Sequence, residues 1–141
     1  MPRMIFVNLP VHDLAKATAF YQAIGATLNP TFSDDTASCM VFSETIYTML
    51  LTHAKWAQFT TKPIADTTKT TEVMLALTCD SRDDVGTMLT AAAGAGGKAD
   101  VNPAQDYGFM LNRSFADPDG HVWEVAVNRA WTVNPDGTLT I

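Results

Sequence analysis

Few side chains in this 141-residue sequence could do chemistry, and they are widely spaced. There are three histidines, His12, His53 and His121, and two cysteines, Cys39 and Cys79. Neither cysteine belongs to a CxxC pair and each falls in a strand-like run, so buried free thiols are expected. The carboxylate in the most unusual setting is Glu124, within Phe-Ala-Asp-Pro-Asp-Gly-His-Val-Trp-Glu-Val-Ala-Val (115–127). Asp117-Pro118-Asp119-Gly120 makes a turn, because Pro presets φ, Asp bonds its own backbone and Gly accepts positive φ. The β-rich run that follows places Val122, Glu124 and Ala126 on one face and His121, Trp123, Val125 and Val127 on the other.

A carboxylate among small apolar side chains is costly without a partner. Glu124 then has two readings. It is a base or hydrogen-bond acceptor in a cavity, with its proton affinity tuned by burial. Alternatively it is structural, held by a hydrogen bond or by a cation such as Arg113. Arg113 divides in the same way, between a ligand for an anionic substrate and a plain ion-pair partner. The odd spacing of His121 and Glu124 on one strand sends them to opposite faces, so surface or capping roles are expected for the histidines.

The elements that must position these groups follow from periodicity. Met4 to Val11 reads as a strand, and Asp13 can cap a helix to about Ala26 through Leu14, Ala17, Phe20, Tyr21 and Ile24. Gly25 can end that helix in the left-handed conformation. Leu28–Ser33, Ala37–Ser43 and Ile46–Thr52 read as strands. Residues 57–71, rich in Thr and Lys with Pro63, form a linker with a helical turn near Lys55 to Phe59. The pattern then restarts with a strand at Glu72–Cys79 and a helix capped by Asp80 or Ser81. Strands follow at Lys98–Asn102, Phe109–Ala116 and His121–Val127.

Sliding the chain along itself until Phe6 meets Met74 also brings Val7 onto Leu75, Leu9 onto Leu77 and Phe20 onto Met88. That is an internal repeat of a βαβββ unit. Two such units predict an α+β fold whose mostly antiparallel strands form a curved sheet around a central cavity, with a helix outside each half. The Val7, Leu9, Val11 and Val73, Leu75, Leu77 sets would face the helices. The cavity face would carry Phe6, Asn8, Thr48, Leu50, Thr52, Met74, Ala76, Thr78, Val122, Glu124 and Ala126. A concave, largely apolar surface with few polar groups is the expected form of a small-molecule site.

Composition narrows the function. The hydrophobic fraction of 47% with 17% charged residues is ordinary for a globular domain. A net charge of −6 with scattered Lys and Arg argues against nucleic-acid and anionic-membrane partners. No apolar run reaches the ~18 residues of a membrane span, and the N-terminus lacks a signal-peptide h-region. A cytoplasmic protein is the expectation.

Val-His-Asp-Leu-Ala-Lys-Ala-Thr-Ala-Phe-Tyr (11–21) and Asp-Pro-Asp-Gly-His-Val-Trp-Glu-Val (117–125), together with the repeat, resemble the vicinal oxygen chelate superfamily. That superfamily includes glyoxalase I, extradiol dioxygenases, fosfomycin-resistance enzymes and bleomycin-binding proteins. Ile-Phe-Val-Asn-Leu-Pro-Val, Tyr-Thr-Met-Leu-Leu-Thr and Arg113-Ser114-Phe115 are similar to a subgroup of small bacterial members.

The resemblance implies the glyoxalase/bleomycin resistance/dihydroxybiphenyl dioxygenase fold over one domain, 1–128. Module one spans 4–56, the linker 57–71 and module two 72–128, with 129–141 as a tail or hairpin. It also implies one metal ligand on each of four inner strand positions, which fall here on Phe6, Leu50, Met74 and Glu124. Phe and Leu offer no donor and Met only a soft thioether, so no catalytic metal and no other cofactor are expected.

A small-molecule-binding member, paired as a homodimer, is the favoured reading. Its ligand pocket would comprise Phe6, Asn8, Thr48, Leu50, Met74, Ala76, Arg113 and Val122. The alternative is a lyase, isomerase or dioxygenase acting on a small metabolite, with Glu124 as catalytic base or ligand.

Overall fold

The first module begins as its pattern dictates. Strand β1 (Ile5–Val11) leads into helix α1 (Leu14–Ala23), whose cap Asp13 accepts the Lys16 N–H at 3.0 Å. The helix buries Ala17, Phe20 and Tyr21, and Gly25 reverses the chain with φ +114°. Strand β2 is short (Thr27–Asn29), because Pro30 opens a 3-10 turn through Phe32 and the Asn29 side chain accepts the Thr31 N–H. Strands β3 (Ala37–Val41) and β4 (Ile46–Thr52) follow, and the short α2 (His53–Trp56) closes the module ahead of the linker.

The second module repeats this order. Strand β5 (Met74–Thr78) precedes α3 (Arg82–Gly94), capped by Ser81 and burying Val85, Leu89 and Ala92. Strand β6 (Lys98–Ala99) stops early, where Asp100 takes φ +55°. Then come β7 (Gln105–Asp106), β8 (Met110–Ala116) and β9 (Val122–Asn128). The tail forms a two-stranded hairpin, β10 (Thr132–Val133) with β11 (Leu139–Thr140). This computed structural model describes all residues 1–141.

The strand orders β1-β4-β3-β2 and β5-β9-β8-β6 are the same arrangement read twice. In each sheet the module's first and last strands run parallel and the remaining pairs run antiparallel. The expected α+β class and the two βαβββ modules are what the chain forms, as two curved, mixed sheets.

Their helix-facing sides share one core. Leu9, Val11, Met40 and Leu50 from the first sheet join Phe115, Trp123, Val125 and Val127 from the second, with Phe20, Tyr21, Val85 and Leu89 between them. Phe20 meets Phe115 at 5.9 Å between ring centroids, and Tyr21 meets Trp123 at 6.0 Å. Each such fully buried side chain contributes about 1.5–3 kcal/mol by its removal from water. Gly97 makes this packing possible, because a Cβ there would lie 2.3 Å from the Ala116 carbonyl oxygen and 2.7 Å from the Phe20 ring.

Candidate functional site

With the helix-facing sides joined in one core, the opposite sheet faces look outward. The register fixes what each carries. In the parallel pair β1–β4, Val7 aligns with Thr48, Leu9 with Leu50 and Val11 with Thr52, so all six lie on the core side. Thr48 and Leu50 are fully buried there. This corrects the expectation that they line the ligand cavity: partners across a pair share a face, so they go where Val7 and Leu9 go. The outward residues are Phe6, Asn8 and Pro10 on β1, with Tyr47, Met49 and Leu51 beside them on β4. The inner strand position assigned by resemblance to Leu50 therefore belongs to Met49.

The Phe6 and Tyr47 rings stack at 4.6 Å and 10°. Phe6, Asn8, Met49, Leu51, Phe32, Asp34, Lys55 and Phe59 border a shallow cleft of about 540 Å³ on this face. It is a largely apolar floor with a few polar groups at its edge.

On the second sheet the expected set holds its face. Met74 aligns with Val122, Ala76 with Glu124 and Thr78 with Ala126, and β8 adds Asn112 and Ser114 beside Ala126 and Glu124. Met74 is 57% exposed. Glu124 is half-exposed and forms no ion pair. Its apparent burial in an apolar run is thus relieved by solvent in the single chain.

Arg113 is not its partner. It aligns with Val125, on the core side, and forks onto Asp100 with Nε to Oδ1 at 3.0 Å and Nη2 to Oδ2 at 2.7 Å. The guanidinium holds the Asp100 carboxyl below its ordinary range. Arg113 is therefore the plain ion-pair partner of the two readings, and its place in a ligand pocket is corrected.

Sequence reasoning missed the most connected polar cluster, which joins the two modules through the Asp117–Gly120 turn. The buried Asp117 accepts the Tyr21 O–H at 2.7 Å through Oδ2, and the Asp119 and His121 N–H groups through Oδ1. Tyr21 in turn accepts Trp123 Nε1–H at 3.0 Å. Burial pushes the Asp117 carboxyl up, against the opposing influence of His121 and Tyr21. Burial, with the charge of Asp117, pushes the Tyr21 phenol well up. His12 N–H bonds Asp119 Oδ1 at 2.9 Å, and the Thr67 hydroxyl bonds the Asp119 carbonyl. The signal was present, since a period of two puts His121 on the Trp123 face, but the groups its ring meets, Glu72 Oε1 and the Pro10 carbonyl oxygen, are distant in sequence.

The fold and these faces define an α+β protein of paired βαβββ modules, each presenting one open sheet surface. The family model for the Glyoxalase/Bleomycin resistance protein/Dioxygenase superfamily matches residues 3–125, and the chain belongs to that family. Solved structures agree in fold. A glyoxalase-related enzyme from Fulvimarina pelagi is 21% identical with a TM-score of 0.74, over 100% of this chain and 99% of that one. A hypothetical protein from S. aureus is 23% identical with a TM-score of 0.74, over 90% and 94%. A fosfomycin resistance protein from Listeria monocytogenes is 18% identical with a TM-score of 0.64, over 91% and 92%. The comparison with curated proteins returned no match. No helix is long and apolar enough to cross a membrane.

A chelated metal on the open faces would need several hard or borderline donors. The open-face positions are Phe6, Met49, Met74 and Glu124, a set with one hard donor. No three of the His, Cys, Asp and Glu side chains converge as a metal site. The residues present do not fit a divalent ion held by oxygen and nitrogen ligands.

Proposed function

We propose that this protein binds a small, partly apolar molecule without a catalytic metal, in a cup formed by two copies of the chain. The observation that carries this reading is the makeup of the open faces. One offers Phe6, Tyr47 and Met49 with Asn8, and the other Met74, Ala76 and Val122 with Glu124 as its acidic acceptor. Apolar walls with a few convergent polar groups suit a small organic ligand.

Within one chain the two faces point apart, and β1 and β5 each end their sheet. Two copies related by a two-fold axis can set the first face of one against the second face of the other, twice, and close the assembly. Phe6 and Met74 are 49% and 57% exposed, and covering them supplies part of the driving force.

Elemental analysis of protein purified without chelator or affinity metal tests the metal-free part, and stoichiometric zinc, nickel, iron or manganese would refute it. Sedimentation tests the assembly, with a monomer at micromolar concentration as the refuting result. Glu124→Gln separates the roles of the carboxylate. As an acceptor, it loses affinity for ligands that present a hydrogen-bond donor. As a base in an isomerase- or lyase-type member, it loses turnover at nearly unchanged affinity.

A further inference from the structure

His121 is 2% exposed, and both ring nitrogens face oxygen. Nδ1 lies 2.6 Å from Glu72 Oε1, and Nε2 lies 2.8 Å from the Pro10 carbonyl oxygen. A carbonyl only accepts, and so does an ionised carboxylate. A neutral imidazole has one N–H and can serve one of them, whereas the doubly protonated ring serves both. We propose that His121 is held as an imidazolium that brackets the end of β1 to the segment entering β5, and so positions the two open sheet faces relative to each other. It is a positioning residue, since it acts through the Pro10 carbonyl and Glu72 rather than on a ligand.

The strands it ties are the ones that matter for the cup. Pro10 shares β1 with Phe6 and Asn8, and Glu72 stands two residues before Met74. The bracket itself stands on geometry alone, whereas its consequence for ligand binding rests on the proposed cup.

The surrounding charges suit a cation. Glu72 faces the ring from the start of the second module, and Asp117 and Asp119 lie in the turn that precedes it. His12, His53, Asp66 and Asp119 share with His121 a cleft of about 450 Å³. Lys62, from the linker, and Glu72 border an adjoining cleft of about 290 Å³ that His121 also lines. Burial lowers the proton affinity of the ring, but the Asp117 charge, the Pro10 carbonyl and Glu72 together outweigh it and raise the net value. A raised histidine stabilises the fold fully below its unfolded value of about 6.5, and that stabilisation is lost as pH rises through the folded value.

Nitrogen-15 NMR of the full chain reads the ring directly. Two ring N–H signals at neutral pH and a midpoint above the ordinary histidine value are expected. Amide signals of Asn8 and Met74, each two residues from a partner of the ring, should move with the same midpoint. Glu72→Gln is the conservative variant. Its amide N–H can donate to Nδ1 while Nε2–H keeps Pro10, so the bracket persists with a neutral ring.

In that variant the midpoint should fall by roughly one pH unit or more. The loss of melting temperature between pH 6 and pH 9 should also flatten. His121→Asn, which cannot span both oxygens, should melt lower at both pH values. A singly protonated ring in the wild type at pH 6 would overturn the proposal, as would still amides at Asn8 and Met74 or an unchanged pH profile in Glu72→Gln. The wild-type spectra decide the matter even if a variant fails to fold. None of these readouts involves ligand or metal, so failure here leaves the proposed function standing, and the converse holds.

Discussion

The register of β4 can be tested by placing one carboxylate at two adjacent positions. Leu50 is fully buried beside Leu9, whereas Met49 is half-buried on the open face beside Asn8. Leu50→Glu forfeits the packing of a buried leucine, about 2–5 kcal/mol. It also leaves a carboxylate in the core, which costs several kcal/mol more in an effective protein environment. The sum approaches or exceeds the whole stability of a domain, about 5–15 kcal/mol. Met49→Glu meets solvent and should cost within about 1–2 kcal/mol.

Urea denaturation followed by far-ultraviolet circular dichroism reads both. Leu50→Glu should be unfolded or nearly so in buffer, with Met49→Glu giving a cooperative transition near the wild type. The reverse ordering would mean that β4 is displaced by one residue and that the outward set is wrong. A gain-of-function arm sharpens the test. Phe6→His, Met49→Glu and Met74→His together surround Glu124 with three new donors if two copies form the cup, and this variant should take up zinc. The same variant with Met49 restored and Leu50→Glu in its place should not.

Thr48 Oγ1 is buried without a hydrogen-bond partner. Thr48→Val removes an unsatisfied hydroxyl and should stabilise by about 1 kcal/mol, read as a higher urea midpoint at constant slope. Gly120 has φ +93°, and a Cβ there would lie 2.5 Å from the Thr67 carbonyl oxygen. Gly120→Ala should cost about 2 kcal/mol or more and loosen the turn, visible as faster amide exchange at Asp119 and His121. Arg113→Ala breaks an ion pair whose side chains are 31% and 43% exposed, so the loss should stay under about 1 kcal/mol and shrink in salt. It should leave ligand affinity unchanged, and a marked drop in affinity would return Arg113 to the cup. Asp100 is held low by Arg113, so this small contribution is present above the ordinary carboxylate range and is lost as pH falls through the lowered value.

Much of this architecture could be read from local chemistry. Asp13 and Ser81 cap their helices because short oxygen-bearing side chains satisfy the first N–H groups, and that signal is carried within four residues. The repeat was legible because each module must bury one helix stripe on one sheet face. The strand ends were less so: Pro30 and Asp100 cut β2 and β6 short through backbone dihedrals.

The faces of β4 were misread for a different reason. Alternation tells which residues of a strand travel together, but not which set faces the core; the parallel partner decides that, and β1 is more than thirty residues away. Tyr47–Leu51 has apolar side chains on both faces, so hydropathy could not choose. Arg113 shows the same limit. Its partner Asp100 occupies a backbone conformation that nothing in Lys98–Asn102 announces. The His121 bracket joins residues separated by 49 and 111 positions and lay beyond any local pattern.

Pro10 has a further consequence. It occupies the sheet-terminal strand β1, has no N–H to donate, and has its carbonyl engaged by His121. An incoming strand could not extend its ladder through that residue, so growth along this edge is interrupted near the end of the strand. Terminal strands with apolar side chains are templates for uncontrolled polymerisation, and a proline is one of the devices that blunts them. The same residue that accepts the bracket thus guards the edge against fibril-like self-association.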